Sequence, residues 1–179
     1  MKDTPLKYHE KNKDYEALKE TVAQNPFPIS FLLDRVENAR NIGAMFRLAD
    51  AARLECIYCY QMEAIAGGKK LKRVARGTNG HIQKKDFTKV EEVKKLKETH
   101  TIYALEITHN SIPHTMLKPK FPCVLLIGNE KHGVSEELLG LADQSVHIPM
   151  HGINLSMNVA MATGIAVYKI LEHLPIDDD

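Results

Sequence analysis

An α/β fold built on a mostly parallel β-sheet flanked by helices is predicted by three features of the sequence. Short runs rich in Val, Ile and Leu alternate along the chain with segments whose apolar residues recur at helical spacing. The short runs are apolar throughout, so both faces of the sheet should be covered. The 179 residues suffice for one hydrophobic core and would make a second one cramped. We therefore expect one domain.

The first part of the chain is predicted to be a polar lead segment followed by strand, helix and strand. Residues 1–27 are rich in charge, and we expect a helix that the NPFP sequence at 25–28 breaks. The run ISFLLDRV at 29–36 has the composition of a buried strand, and apolar spacing predicts a helix over 41–54. LECIYCY at 54–60 is β-rich and has the length of a strand.

The rest of the chain continues this alternation. A basic connector at 67–85 leads to a surface helix at 88–99, in which Val90, Val93 and Leu96 share one face. The elements expected next are a strand at 101–107, a Pro-containing loop, a strand at 123–130, a short helix at 135–142, a strand and turn at 145–150, and a final helix at 156–171. That helix is apolar on nearly every side, so we expect it to be buried. The acidic tail at 176–179 should be frayed.

Composition excludes several classes of protein. A hydrophobic content of 44% excludes a disordered chain, and no apolar run reaches the length of a membrane span. The charged N-terminus has no apolar segment of the kind that a signal peptide needs, so we expect a cytoplasmic protein. The net charge of +1 requires any nucleic-acid partner to be recognised by local charge.

Cysteine and histidine give no indication of a metal site. Cys56 and Cys59 are three residues apart in a predicted strand, so their side chains should point to opposite faces. His81, His132 and His151 do not have the spacing of metal ligands. We therefore expect buried, reduced thiols and no bound metal.

Ligand binding is expected at the carboxyl ends of the strands, where loops rich in Gly, Asn and Pro follow. GNEKHGVS, at 128–135, imitates a phosphate-binding loop but has Val134 where that loop requires lysine. The missing charge argues against nucleotide hydrolysis.

Three segments together resemble the SpoU/TrmH family of RNA 2′-O-ribose methyltransferases. They are NARNIGAMFRLADA at 38–51, LLIGNEKHGVSEELL at 125–139, and IPMHGINLSMNVAMATGIAVY at 148–168, in the family's order and spacing. The resemblance implies a methyltransferase domain over 28–175, an α/β knot at its C-terminal end, and S-adenosylmethionine as cofactor. It also implies a homodimer whose final helices pack together.

By the same resemblance, loop backbone and apolar side chains hold the adenosine. The implied cofactor contacts are Leu105, Gly128, Ile148, Pro149, Met150 and Met157. Residues of this kind suit an adenine ring, which needs an apolar slot and backbone hydrogen bonds.

The implied catalytic residues are polar: Asn41, Arg47, Glu130, Ser156 and Asn158. Alternatives remain for four of them, since Asn41, Ser156 and Asn158 are also good helix caps and Arg47 also suits a solvated helix surface. In the proposed chemistry Arg47 holds a phosphate or stabilises the alkoxide, because guanidinium is a poor base. Asn41, Ser156 and Asn158 would orient the ribose and the loops, and Glu130 would fix the geometry of the segment at 125–139 or of Arg47.

A basic strip supports RNA as the substrate. It comprises Lys69, Lys70, Lys72, Arg73, Arg76, Lys84 and Lys85, with no acidic residue between 67 and 85. Such strips bind phosphates without reading bases, although a solvated connector has the same composition. The layout around 70–83 looks closest to the branch that modifies tRNA guanosine. Ribosomal RNA, a non-catalytic RNA-binding role, and a protein or small-molecule substrate remain as alternatives.

Overall fold

The computed structural model describes Glu20, residues 24–62 and residues 82–175. Seven strands and four α-helices are found in these residues. The strands are β1 (Phe27–Asp34), β2 (Leu54–Tyr60), β3 (Gln83–Phe87), β4 (Thr101–Leu105), β5 (Ile112–Pro113), β6 (Cys123–Ile127) and β7 (Gln144–His147). The helices are α1 (Ala39–Ala51), α2 (Val90–Lys97), α3 (Glu136–Leu139) and α4 (Val159–Leu171), and a 3-10 turn spans His114–Met116.

The strands form a single sheet in the order β3-β2-β1-β6-β4-β7-β5, and every neighbouring pair is parallel. Their carboxyl ends therefore meet at one edge, where ligands bind in open sheets of this kind. The predicted α/β class with a mostly parallel sheet is confirmed. The knot, which follows only from the resemblance, stays a prediction.

Helices cover both faces of the sheet. Helices α1 and α4 pack on one face, and α2 and α3 pack on the other. In β1, Phe31 and Leu33 point to the first face and Leu32 to the second, and all three are fully buried. Each such side chain contributes about 2–3 kcal/mol through burial. This two-sided burial explains why the strands are apolar at successive positions.

The two cysteines of β2 lie on opposite faces of the sheet, as predicted. Cys56 packs toward α2 and α3, and Cys59 packs toward α1 and α4. Burial raises the pKa of Cys56 to about 11 and that of Cys59 to about 12. Both thiols therefore stay protonated at neutral pH and are poor metal ligands or nucleophiles.

Asparagine side chains cap the two long helices. Asn38 precedes α1, and its side-chain oxygen accepts a hydrogen bond from the backbone N–H of Arg40 at 2.9 Å. Asn158 caps α4 by accepting from the N–H groups of Ala160 and Met161. The alternative that Asn41 caps α1 is wrong, because Asn38 takes that position and Asn41 lies inside the first turn.

Two strands differ from the sequence-based prediction. Residues 83–87 form β3, although the sequence predicts a connector up to residue 85. The sequence QKKDF has no apolar pattern, but it lies at the edge of the sheet, where charged side chains are common. The two-residue strand β5 lies at the other edge, within the predicted Pro-containing loop. Most of the lead segment 1–27 and the tail 176–179 lie outside the described residues.

The final helix is only partly covered by the rest of the chain. Ala166, Val167 and Ile170 are buried in the core. Met161, Ile165 and Tyr168 form a stripe at helical spacing and are 64%, 39% and 51% exposed. The sequence predicts that α4 is buried. In the single chain only one side of α4 is buried. Within the part of the chain that is described, no helix has the length and apolarity to cross a membrane.

Candidate active site

A cleft of about 700 Å³ opens at the carboxyl edge of the sheet, beside the ends of β4, β6 and β7. Its volume suits a cofactor-sized ligand. The cleft brings together all of the predicted catalytic and cofactor-binding residues except Arg47 and Pro149. The predicted residues that line it are Asn41, Leu105, Gly128, Glu130, Ile148, Met150, Ser156, Met157 and Asn158.

One wall of the cleft is the Gly128 loop, residues 128–135. Asn129 and Gly133 close this loop by two backbone hydrogen bonds, of 3.0 and 2.9 Å. The Asn129 side chain accepts from the N–H groups of Lys131 and His132 and donates to the Arg35 carbonyl at 2.6 Å. The N–H groups of Asn129, Lys131, His132 and Gly133 are thus satisfied within the chain.

Glycine is required at position 128 by the loop itself. A Cβ there would lie 2.2 Å from both the Gly133 carbonyl carbon and the Val134 nitrogen. Both atoms belong to the backbone and have no side-chain freedom with which to move away. Glycine is therefore needed at position 128 because the backbone of Gly133 and Val134 passes close to it.

Two carboxylates from neighbouring parts of the sheet hold the far end of the Gly128 loop. Asp34, fully buried at the end of β1, accepts a hydrogen bond from the Ser135 N–H at 2.6 Å. Glu106, the residue after β4, accepts from the Val134 N–H at 2.9 Å. Hydrogen bonds to charged acceptors are about twice as strong as neutral ones. The chain therefore fixes this loop before any ligand binds.

Three polar side chains connect the three sequence segments of the resemblance. The Asn41 amide donates to Glu130 Oε1 at 2.9 Å, and its oxygen accepts from the Asn158 amide at 3.0 Å. Because Asn158 also caps α4, this relay joins α1, the Gly128 loop and the start of α4. An amide can serve both neighbours only in one orientation, so the relay fixes how Asn41 is presented to the cleft.

Glu130 is held as a carboxylate by its hydrogen bonds. Besides Asn41, the backbone N–H groups of Glu37 and Asn38 donate to it, at 3.2 and 3.1 Å. Partial burial acts to raise the pKa of Glu130, but the Asn41 bond and the backbone bonds outweigh it and lower the pKa. A carboxylate in this state is a weak base, so its role is to orient Asn41 and the loop at 36–38.

The Gly152 loop, residues 148–158, is far more exposed than the Gly128 loop. It contains the predicted cofactor contacts Ile148, Pro149, Met150 and Met157. Ile153 and Leu155 are 98% and 86% exposed. Apart from Gly152 and its two chain neighbours, no described residue has a heavy atom within 4 Å of the position that a Cβ on Gly152 would take. Ser156 is exposed and two residues ahead of the cap, so it does not cap α4. Ser156 lines the cleft.

The remaining predicted residues lie away from the cleft or outside the described residues. Arg47 is exposed on α1, a helix that packs against α4. Pro149 is half-buried between two residues that line the cleft. Of the basic strip, Lys84 is paired with Asp86 at 2.6 Å, and the Lys85 ammonium lies 5.8 Å from the centre of the Tyr58 ring. Lys69, Lys70, Lys72, Arg73 and Arg76 lie outside the described residues.

Nine residues that line the cleft are not among the predicted site residues, and they include Glu106, Asn129 and His147. Asn129 stands next to Glu130 in a tight loop, where asparagine commonly bonds to the backbone two residues ahead. Glu106 and His147 stand at the carboxyl ends of β4 and β7, which is where sites of this fold collect. No group of three or more His, Cys, Asp or Glu side chains in the described ranges is arranged to hold a metal ion.

Comparison with known proteins identifies the family. The family model described as "SpoU rRNA Methylase family" matches residues 28–168, which is most of the chain. The chain belongs to this family. Its predicted membership, and with it the predicted class of enzyme, an RNA 2′-O-methyltransferase, is confirmed.

Two enzymes illustrate the likeness. The tRNA (guanosine(18)-2'-O)-methyltransferase of Aquifex aeolicus is 32% identical over 92% of this chain and 78% of its own length. The crystal structure of the A. aeolicus TrmH/SpoU tRNA modifying enzyme superimposes with a TM-score of 0.78 and 27% identity, over 88% of this chain and 81% of that one.

The cofactor also has a counterpart among solved structures. The SpoU methyltransferase AviRb from Streptomyces viridochromogenes, solved with S-adenosylmethionine (AdoMet), matches with a TM-score of 0.73 and 27% identity, over 80% of this chain and 56% of that one. The cleft described above has the chemistry that this cofactor requires. Leu105, Ile148 and Met157 offer an apolar surface, and Glu106 and Glu130 offer negative charge toward a cationic ligand. S-adenosylmethionine is the cofactor of this family, as the resemblance implies.

Proposed function

We propose that this chain methylates the 2′-hydroxyl of a guanosine ribose in tRNA, acting in the cytoplasm as a homodimer. Residues 28–175 are the methyltransferase domain in this proposal. The observation that carries it is the relay of Glu130, Asn41 and Asn158, which unites the three family segments at one cleft. The similarity to the A. aeolicus tRNA enzyme supports tRNA as the substrate.

Apolar residues of the cleft bind the cofactor in this proposal, and polar residues position the reacting groups. Leu105, Ile148, Met150 and Met157 form the apolar slot for the adenosine, with Pro149 adjacent to them in the chain, and the Gly128 loop supplies backbone groups beside it. S-adenosylmethionine, when bound, supplies a methyl group on a positively charged sulfur. Methyl transfer requires alignment of the hydroxyl, loss of its proton and stabilisation of the developing alkoxide.

Polar residues of the chain meet these requirements in part by orientation. Asn41, held by Glu130, and Asn158 present fixed amides at the cleft, and the exposed Ser156 hydroxyl is available to the ribose. Glu130 is a poor base because its pKa is lowered and its oxygens already accept hydrogen bonds. The proton therefore leaves to a phosphate oxygen of the RNA or to water.

Arg47 acts on the RNA in this proposal. Guanidinium stays protonated in proteins, so Arg47 cannot remove the proton. Its exposure on α1 leaves it free to bind a phosphate with two parallel hydrogen bonds, or to stabilise the alkoxide. The basic strip, from Lys69 to Lys85, adds phosphate contacts that do not depend on sequence.

The homodimer is supported by the uncovered stripe of α4. Met161, Ile165 and Tyr168 expose a contiguous apolar surface on a helix that is buried along its other side. A second copy of the helix would cover this stripe by a two-fold contact. Light scattering should give twice the chain mass of 20.2 kDa, and a monomer mass would contradict the dimer.

Transfer of a labelled methyl group tests the proposed function. The protein is incubated with methyl-labelled S-adenosylmethionine and with separated tRNA or ribosomal RNA, and the labelled nucleoside is identified after digestion. We expect 2′-O-methylguanosine from the tRNA. Label in ribosomal RNA alone would favour the alternative substrate that the family's description names. No transfer to either RNA would support a non-catalytic RNA-binding role.

A further inference from the structure

We propose that the Glu106 carboxylate binds the ribose diol of the cofactor's adenosine. This inference rests on the proposed function, because it assigns a cofactor contact within the same cleft. Glu106 follows Leu105 at the end of β4 and lines the cleft with Gly128 and Ile148. The family resemblance assigns no role to this residue.

The position of the Glu106 carboxylate is fixed by the chain. One oxygen accepts the Val134 N–H at 2.9 Å, and the other accepts the Ile107 N–H at 3.0 Å. Gly133 gives the carboxylate its space, because a Cβ there would lie 2.3 Å from Glu106 Oε2. Gly133 also has a φ of +67°, a conformation that favours glycine. The carboxylate is therefore held in place from two sides.

Both oxygens of Glu106 retain the capacity to accept another hydrogen bond. An ionised carboxylate has about four acceptor directions, and the two backbone donors to Glu106 occupy one on each oxygen. Glu130, the other glutamate that lines the cleft, differs in this respect. It accepts from the Asn41 amide and from the backbone of Glu37 and Asn38. Of the two, Glu106 has the greater capacity left for a ligand.

A vicinal diol is the ligand group that matches these two free acceptors. Two neighbouring hydroxyl groups can donate one hydrogen bond to each carboxylate oxygen. In dinucleotide-binding folds an acidic residue likewise accepts from the ribose 2′-hydroxyl. Leu105 and Ile148 place the apolar slot beside Glu106, and the ribose is the part of the cofactor bonded directly to adenine. Glu106 therefore meets the ribose when adenine occupies the slot.

Calorimetric titration of wild type and Glu106→Gln with three probes tests this assignment. S-adenosylhomocysteine has both the diol and the amino-acid end, 5′-methylthioadenosine keeps only the diol, and 2′,3′-dideoxy-S-adenosylhomocysteine keeps only the amino-acid end. We expect the substitution to weaken binding of the first two by the same factor, about tenfold to a hundredfold. Binding of the dideoxy probe should change by less than about threefold. Glu98→Gln, on the exposed surface after α2, is the matched control.

Other patterns of binding would overturn the inference. An equal loss for all three probes would show that Glu106 only supports the Gly128 loop, and a loss confined to the homocysteine probes would assign it to the amino-acid end. Unchanged affinities would remove Glu106 from the site. Failure of wild type to bind any probe would instead contradict the proposed function, and this result is distinct from the others.

Discussion

The Gly128 loop and the Gly152 loop both line the cleft, but the rest of the chain holds them very differently. The Gly128 loop is closed on itself, is bonded to Asp34 and Glu106, and buries Val134 to 7% exposure. The Gly152 loop exposes Ile153 and Leu155 almost completely. The first wall is preorganised by the chain, whereas the second has apolar side chains that a ligand or a second subunit would cover. Preorganisation of one wall lowers the entropic cost of binding.

The largest difference between the loops is expected when valine replaces Gly128 in one and Gly152 in the other. Gly128→Val would force a Cβ to within 2.2 Å of the backbone, so we expect a loss of about 3 kcal/mol in stability and loss of cofactor binding. Gly152→Val has open space around it and should change stability by less than about 0.5 kcal/mol. Urea unfolding and calorimetry measure both quantities. Equal stability of the two variants would refute the difference between the loops.

Arg47 lies outside both loops and should affect methyl transfer to RNA without affecting cofactor binding. Arg47→Ala should lower the single-turnover methylation rate about a hundredfold to a thousandfold, with cofactor affinity and dimer mass unchanged. Arg47→Lys should restore little, because lysine lacks the planar pair of donors. Arg40→Ala, an exposed arginine on the same helix, serves as the control. A rate near wild type for Arg47→Ala would leave the alkoxide without the proposed partner.

Glu130 should contribute stability that depends on pH. Its pKa is lowered in the folded state, so its stabilising effect is present above the ordinary value of 4.5 and is lost as the pH falls through the folded pKa. Glu130→Gln should therefore destabilise the protein at neutral pH, and by less below pH 4.5. Urea unfolding at pH 7 and pH 4 measures the difference. A cost that is the same at both pH values would contradict the role of the charge.

The sequence predicts those elements of the fold that leave a local pattern of apolar residues. The apolar runs of β1, β2, β4 and β6 predict buried parallel strands because burial on two faces leaves a local signal. The strand β3 has no such signal, since QKKDF pairs only because β2 offers a free edge. The polar spacing around Asn41 suggests a helix start but does not distinguish Asn38 from Asn41 as the cap.

The family resemblance predicts which residues form the site, but it does not predict the contacts between them. Asn41 and Glu130 are separated by 89 positions in the sequence. Only the folded sheet brings the Asn41 amide nitrogen to 2.9 Å from a Glu130 carboxylate oxygen. The need for glycine at position 128 is similar, because its cause lies in the backbone of residues 133 and 134. Glu106 has no repeating pattern around it, and its place in the cleft follows from the sheet order.

Truncating one apolar side chain in each loop tests the same contrast with moderate effects. Val134→Ala removes buried methyl groups and should cost about 1–2 kcal/mol in stability. Leu155→Ala removes a side chain that is 86% exposed and should cost less than about 0.5 kcal/mol. Thermal unfolding of both variants provides the measurement. A larger cost for Leu155→Ala would show that this residue is covered in the free protein.

Amide hydrogen exchange, with and without S-adenosylhomocysteine, tests most directly whether the two loops form one cofactor cleft with one preorganised wall. The account predicts slow exchange in the Gly128 loop in both states, because its backbone hydrogen bonds are formed within the chain. It predicts fast exchange in the Gly152 loop without ligand and slower exchange with it. A Gly152 loop whose exchange does not change on binding, or a Gly128 loop that becomes protected only with ligand, would contradict the account.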